Sequence, residues 1–357
     1  MEKDLSCINH NLLMKNFFQD TLKIAFKNIG MDCLISKTIR NQDNAITKRL
    51  SWEKQGLHVP PFMIVSITNR CNLKCRGCYF YAQSRVMMKE MSGEMFDSIL
   101  DEARELGISI IFIAGGEPLI RKDLLKITEK YPDIIFLLFS NGLLVNNEVV
   151  EVLKKQKHVI PIISLEGYEY ETDKRRGLGI FERLMQIIEA MKNKKVFFGI
   201  SLTVTRNNFK VIFNDEYIKQ FVNLGCKIFF FVEYIPVRKG TEELVMTDNQ
   251  ESEISNLIAS FSLKYPALFI AFPEEEKKFG GCLSARRGLI HISHEGAVEP
   301  CPFVPYSDVD LNHLSLKEAL RSSKLLRRIR DNHDKLGPAQ NGCILWENRE
   351  WISSLFH

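Results

Sequence analysis

Between Met63 and Val237, short runs of β-branched and aromatic residues alternate six times with segments whose apolar positions recur at helical spacing. The pattern predicts strands over 63–68, 109–113, 134–139, 159–164, 197–203 and 227–233. Each run is almost continuously apolar, as expected of a parallel strand buried on both faces. Helices are predicted over 93–106, 121–130, 146–155, 180–192 and 213–224. Ser92 and Asn146 stand where a helix start needs a capping oxygen, and Gly107 and Gly225 stand where a helix ends. Six β/α units predict an α/β fold, a parallel sheet curled into a partial (β/α)6 TIM-like barrel. Reactive residues should then lie on loops at the C-terminal ends of the strands.

The flanks follow other patterns. Residues 1–55 predict a helical N-terminal segment, with a basic amphipathic stretch at 11–30 suited to packing on the barrel or to touching a membrane surface; packing is the preferred reading. After Pro236 the β/α rhythm breaks, a helix is expected at about 248–263, and a Gly/Cys/Pro-rich region begins at Gly280. The expected division is 1–55, a core over 56–240, and an extension over 241–357. With 357 residues, 45% of them hydrophobic, the chain can build a sizeable core. A net charge of +4 argues for neither nucleic acid nor membrane. The N-terminus does not read as a secretory signal, and no stretch reaches the ~20 apolar residues of a spanning helix, so a cytoplasmic location is expected.

In such a chain, nine cysteines point to metal ligation or catalysis rather than to a disulfide framework. Directly after the first predicted strand, TNRCNLKCRGCYFYAQ places Cys71, Cys75 and Cys78 in a C-x3-C-x2-C loop. Three thiolates on one short loop can converge on three irons of a cubane and leave the fourth iron without a protein ligand. A zinc loop and a run of buried free thiols are the competing readings. Structural zinc prefers four ligands, and no fourth Cys or His lies nearby in sequence.

This loop, after the first strand of a six-unit barrel, resembles the radical S-adenosylmethionine (SAM) superfamily across about residues 63–237. The resemblance implies a 4Fe–4S cluster on Cys71, Cys75 and Cys78 whose open iron chelates SAM. It also implies cleavage of SAM by an electron from the cluster, yielding a 5′-deoxyadenosyl radical that abstracts a hydrogen atom from substrate. The second strand ends in AGGEPL, and by the same resemblance Gly115, Gly116 and Glu117 receive the SAM amino group. Ser140, Asn141, Ser164 and Glu166, in FSNG and SLEG at the ends of the third and fourth strands, suit ribose hydroxyls and the SAM carboxylate. Arg176 suits that carboxylate too, in competition with Arg175 and Lys174 and with a purely solvated turn. In one respect the chain departs from the family. Where many members carry an aromatic residue before the third cysteine, it has Gly77.

Farther on, Cys282 is followed by thirteen residues, Gly296, four residues and Cys301, with Cys343 beyond. The segments LIHIS and AVEPC predict a hairpin turning at HEG that would bring Cys282 and Cys301 together. The spacing resembles the SPASM and twitch extensions of the same superfamily and, with only Cys343 left, the shorter twitch type. This implies a second, auxiliary 4Fe–4S cluster on Cys282, Cys301 and Cys343. Its fourth position is either open or filled by His291, His294 or Asp310; unrelated free thiols are the alternative. Cys7, Cys33 and Cys226 read as ordinary buried thiols.

The expected function is a radical SAM enzyme acting on a C–H bond of a small molecule or lipid precursor. An electron donor such as flavodoxin or ferredoxin would serve it, and no nucleic-acid partner is expected. A peptide-modifying maturase and a non-catalytic iron–sulfur electron carrier are the alternatives.

Overall fold

The computed structural model describes residues 32–83, 89–274, 276, 281–286, 288–336 and 343–355. The amphipathic stretch at 11–30 and Cys7 lie outside the described residues, as does the side chain of Cys33.

The predicted strands form as β1 (Phe62–Ser66), β2 (Ile110–Ala114), β3 (Ile135–Ser140), β4 (Val159–Leu165), β5 (Gly199–Val204) and β6 (Ile228–Glu233), paired in parallel in that order. The sheet continues past both ends of this set. A seventh strand, β7 (Leu268–Phe272), joins β6 in parallel. Its run LFIAF has the same apolar signature as the others. The hairpin expected around HEG also forms, as β8 (Leu289–Ile292) antiparallel to β9 (Val298–Glu299). Sequence pattern placed it in an extension of its own, yet β8 docks in parallel along β1 and closes the free edge of the core sheet.

The two faces of the sheet differ. Residues such as Met63, Val65, Ile111, Phe136, Ile200 and Phe229 pack with the helices in one large core. Gly93–Leu106 shows how a helix reaches it: Ser92 caps the start by accepting from the Met95 amide, and Phe96, Ile99, Leu100, Ala103 and Leu106 form the buried stripe. The N-terminal helix Asp32–Lys54 packs outside that layer, with Arg49 donating to the Gly107 carbonyl and Ser109 to Gln42. Two predicted helices come out shorter. The helix placed at 121–130 is Leu124–Thr128 only, because Arg121 is held in a turn, donating to the carbonyls of Ile67 and Met91 and to Asp123. The helix placed at 213–224 is Asp215–Asn223, since the Asn214 side chain caps the Glu216 amide.

On the opposite face the described residues add only Leu283, of the short helix Leu283–Arg286, to the buried strand side chains, and those side chains measure the curvature. Phe112 on β2 and Phe230 on β6 have ring centroids 6.4 Å apart, and Phe139 on β3 lies 5.3 Å from Phe230. In a flat sheet, four strand spacings would separate β2 from β6 by ~19 Å. The sheet therefore curls, and these rings meet inside an unclosed barrel. On this inner face Phe112, Ala114, Phe139, Ser164, Thr203 and Val232 are only partly buried. Bulky rings make a floor, and small side chains toward the C-terminal strand ends leave room above it.

Candidate functional site at the cysteine loop

The cysteine loop leaves the C-terminal end of β1 and is tied down by the end of β2. Gly116 donates its amide to the Thr68 carbonyl (2.8 Å) and Glu117 to the Arg70 carbonyl (2.8 Å). The two glycines are needed for this approach. A Cβ at Gly115, which also has a positive φ of 126°, would stand 2.5 Å from the Thr68 oxygen, and one at Gly116 would stand 2.0 Å from the Arg70 oxygen. Expected to admit a ligand, the Gly-Gly pair admits the backbone of the cysteine loop. Its carbonyls take part in no backbone hydrogen bond among the described residues.

Glu117 is 0% exposed, so its carboxylate organises the strand ends rather than facing the mouth. It accepts from the Ser140 hydroxyl (2.9 Å) and from the amides of Asn141 (2.7 Å) and Leu119 (3.1 Å). Burial raises its pKa, and the hydrogen bonds oppose that rise. Ser140 is thereby turned toward Glu117, a correction to its expected aim at the mouth. Asn141 does reach the site, its side-chain nitrogen lying 3.7 Å from the Cys71 sulfur and 2.7 Å from the Asn72 oxygen. Of the four polar residues at the ends of β3 and β4, only Ser164 stays partly exposed.

Glu166 is likewise committed within the protein. Arg176 (2.5 Å) and Arg175 (3.1 Å) each donate to one of its oxygens, and Arg176 also lies 3.9 Å from the Cys75 sulfur. Both arginines close the helix Glu169–Arg176, so their placement follows from where that helix ends. Each has a buried Nε with no hydrogen-bond partner. A cluster of two cations and one anion with spare donors beside a thiol suits an incoming anionic group.

Burial pushes the thiols of Cys71 and Cys75 up, while the Arg176 charge pulls Cys75 back down. All three pairs among Cys71, Cys75 and Cys78 interact electrostatically, so the thiols share one locale. Yet among the described residues no three His, Cys, Asp or Glu side chains close around a single metal ion.

Gly77, in place of an aromatic residue, has its own partner. Its φ is +69°, and a Cβ there would stand 2.7 Å from the hydroxyl of Tyr234, a buried residue just beyond β6. Arg175 lies over the same ring at 5.9 Å, and the hydroxyl donates to Thr241 (2.7 Å). Periodicity could not have found this contact across 157 positions. We expect Gly77→Ala to strain the loop by about 1 kcal/mol or more and to lower iron uptake on reconstitution. Iron counting beside Tyr234→Ala/Gly77→Ala, which removes the clash, checks this: equal uptake in wild type and Gly77→Ala would contradict it.

The second cysteine group lies beside the first. Tyr79, next to Cys78, packs on Phe303 with centroids 5.1 Å apart, and Gln83 donates to the Pro302 carbonyl (2.6 Å). Cys282 and Cys301 share a small core with Val304, Leu325 and Leu345. Burial raises all three of these thiols, Cys343 to about 12. Glu276, whose carboxylate accepts from the Leu283 amide (3.1 Å), is pushed up to about 7 by burial.

The candidates weighed for the fourth ligand are occupied elsewhere. His291 joins Ser66 (Oγ to Nε2, 2.8 Å) to Glu299 (Nδ1 to Oε2, 2.8 Å), and all three are 2% exposed. A ring carrying its proton on Nδ1 donates to Glu299 and accepts from the Ser66 hydroxyl at Nε2. Serine, histidine and carboxylate follow the order of a hydrolytic triad, but this serine is closed to substrate. The chain instead pins β8 and β9 to β1. His291→Ala should cost about 1–3 kcal/mol for each buried group left unsatisfied. Urea denaturation reads this out, and a loss under roughly 0.5 kcal/mol would contradict it.

An unclosed parallel barrel with a three-thiol loop at the end of its first strand defines a class of iron–sulfur protein. Residues 65–225 match the family model described as "Radical SAM superfamily". Residues 65–225 therefore form a radical SAM domain, and the chain is similar to radical SAM enzymes. It is 26% identical over 309 residues to the AdoMet-dependent heme synthase of Methanosarcina barkeri, covering 78% of this chain and 87% of that one. With the AdoMet-dependent heme synthase of Oleidesulfovibrio alaskensis it shares 28% identity over 298 residues, 74% of this chain and 75% of that one. The crystal structure of Streptococcus suis SuiB bound to S-adenosylmethionine superposes with a TM-score of 0.65 at 18% identity, covering 83% of this chain and 73% of SuiB. No helix among the described residues is long and apolar enough to cross a membrane.

Proposed function

We propose that the chain holds a 4Fe–4S cluster on Cys71, Cys75 and Cys78, binds S-adenosylmethionine at the open iron, and abstracts a hydrogen atom from an apolar small molecule or lipid precursor. A second 4Fe–4S cluster sits on Cys282, Cys301 and Cys343. When bound, the reduced cluster and SAM together supply a 5′-deoxyadenosyl radical. The chain's own residues bind, orient and shield. The Gly115 and Gly116 carbonyls receive the ammonium group, and the Arg176 guanidinium pairs with the carboxylate. Asn141 donates to the Cys71 sulfur, and Ser164 serves the ribose. Flavodoxin or ferredoxin is the class of electron donor proposed.

The observation that carries this reading is a three-thiol loop opening onto a barrel floored by Phe112, Phe139 and Phe230. Such a floor excludes water from a radical and favours a large apolar substrate over a charged one. Two relatives named as heme synthases support a large substrate with an apolar face, since a tetrapyrrole ring is flat and apolar although its edge carries carboxylates.

The test is anaerobic reconstitution with iron and sulfide, followed by iron counting, EPR with and without SAM, and a dithionite assay for 5′-deoxyadenosine. Iron porphyrins, isoprenoid lipids and peptides would be offered in turn. About eight irons, a SAM-perturbed spectrum and nucleoside formation stimulated by an apolar compound are expected. A SAM-insensitive spectrum would sink the catalytic reading. Stimulation by peptides alone would replace the substrate class with that of a maturase.

A further inference from the structure

The second cluster proposed above has three cysteines and needs a fourth position filled. We infer that Glu276 fills it, binding iron through its carboxylate; this inference rests on that cluster.

Three observations converge on this carboxylate. The chain turns back at Glu276, whose carbonyl accepts from the Gly281 amide (2.9 Å), immediately before Cys282. Its Oε1 accepts from Leu283, immediately after Cys282 (3.1 Å), so the carboxylate lies against the first ligand of the group. Its other oxygen makes no hydrogen bond among the described residues.

Next, all six pairs among Cys282, Cys301, Cys343 and Glu276 interact electrostatically. Coulomb interactions weaken with distance, so the four groups share one locale. Cys282 feels Glu276 more strongly than it feels either other cysteine. Glu276 therefore lies nearest the first ligand of the group, where its hydrogen bond from Leu283 also places it.

Last, the donor set is three sulfurs and one carboxyl oxygen. Donors of this kind, brought together out of water, suit iron. An iron–sulfur cluster supplies positive iron at each corner, and carboxylate is a competent, harder ligand for iron than thiolate. His291 is committed to Ser66 and Glu299, His294 stands against Glu295 (3.3 Å), and Asp310 accepts from the Asn312 amide (2.9 Å). An oxygen ligand exchanges more readily than a thiolate, so this corner can bind substrate when Glu276 swings away.

The experiment isolates the second cluster in a Cys71/Cys75/Cys78 triple alanine background. The parent and its Glu276→Ala, Glu276→Gln and Glu276→Cys variants are reconstituted anaerobically, counted for iron, and oxidised with ferricyanide under EPR. The parent should hold about four irons per chain. Glu276→Ala and Glu276→Gln should fall to about three on oxidation and develop the signal of a 3Fe–4S cluster, while Glu276→Cys keeps four. Glutamine retains an acceptor for the Leu283 amide, so a capping role alone predicts that Glu276→Gln behaves as the parent. That result, or four irons and an unchanged spectrum in Glu276→Ala, overturns the assignment. A parent without iron overturns the second cluster itself, and with it this inference.

Discussion

Replacing Cys71, Cys75 and Cys78 together by alanine is expected to lower 5′-deoxyadenosine formation to the level seen without enzyme, with about four of eight irons lost. The effect should be total because the three thiols stand together and are the only protein ligands proposed for that cluster. Arg176, 3.9 Å from the Cys75 sulfur, would then face an empty corner. Stability should change little, since all three cysteines are only partly buried and removing a partly exposed thiol opens no cavity. Assaying the nucleoside and the urea midpoint on the same preparations separates the two effects. Nucleoside formation surviving in the triple variant would remove this loop from the chemistry.

Glu166→Gln is expected to be the most destabilising substitution at the site, by about 3–5 kcal/mol. The Glu166 side chain is 2% exposed, and it neutralises two guanidinium groups at once. Without its charge, two buried cations face each other across a space that water does not reach. Against a total stability of ~5–15 kcal/mol, such a loss takes a large share. Arg176→Met should cost less, because Arg175 still pairs with Glu166, and Arg175→Met less again, because its contact is the longer and more exposed one. Urea denaturation at pH 7 gives the order directly. If Glu166→Gln and Arg176→Met destabilised the protein equally, the three groups would not act as one cluster.

The barrel was legible because its signals are local. A strand buried on both faces must be apolar nearly throughout, so β1 to β6 stand out as apolar runs, and the caps at Ser92 and Asn146 sit where helices begin. The missed β7 has the same signature but follows the long helix Asp248–Lys264, after the six-unit rhythm has lapsed. Helices failed where side chains competed with the helical pattern. Arg121 spends its donors on Ile67 and Met91, and Asn214 caps a helix that periodicity ran straight through.

The site was legible in kind rather than in arrangement. The C-x3-C-x2-C spacing forces three thiols onto one loop whatever surrounds it. By contrast, Ser140 and Glu166 were read as facing the mouth because they end strands, and strand ends do point there. Their hydrogen-bond partners, Glu117 and the Arg175–Arg176 pair, reverse that reading, because a buried charge or hydroxyl turns to whatever satisfies it.

By itself, then, the sequence determined the alternation of strand and helix, the three-thiol loop after β1, and the hairpin at HEG, since each follows from neighbours within a few positions. Only the tertiary structure decided that Gly115 and Gly116 make room for Thr68 and Arg70, that Gly77 makes room for Tyr234, and that β8 closes the edge of β1. It alone set the Glu276 carboxylate against the Leu283 amide beside Cys282. The reason is that packing and electrostatics act through space. Which residues meet depends on strand order and sheet curvature, and neither is written in any one stretch of chain.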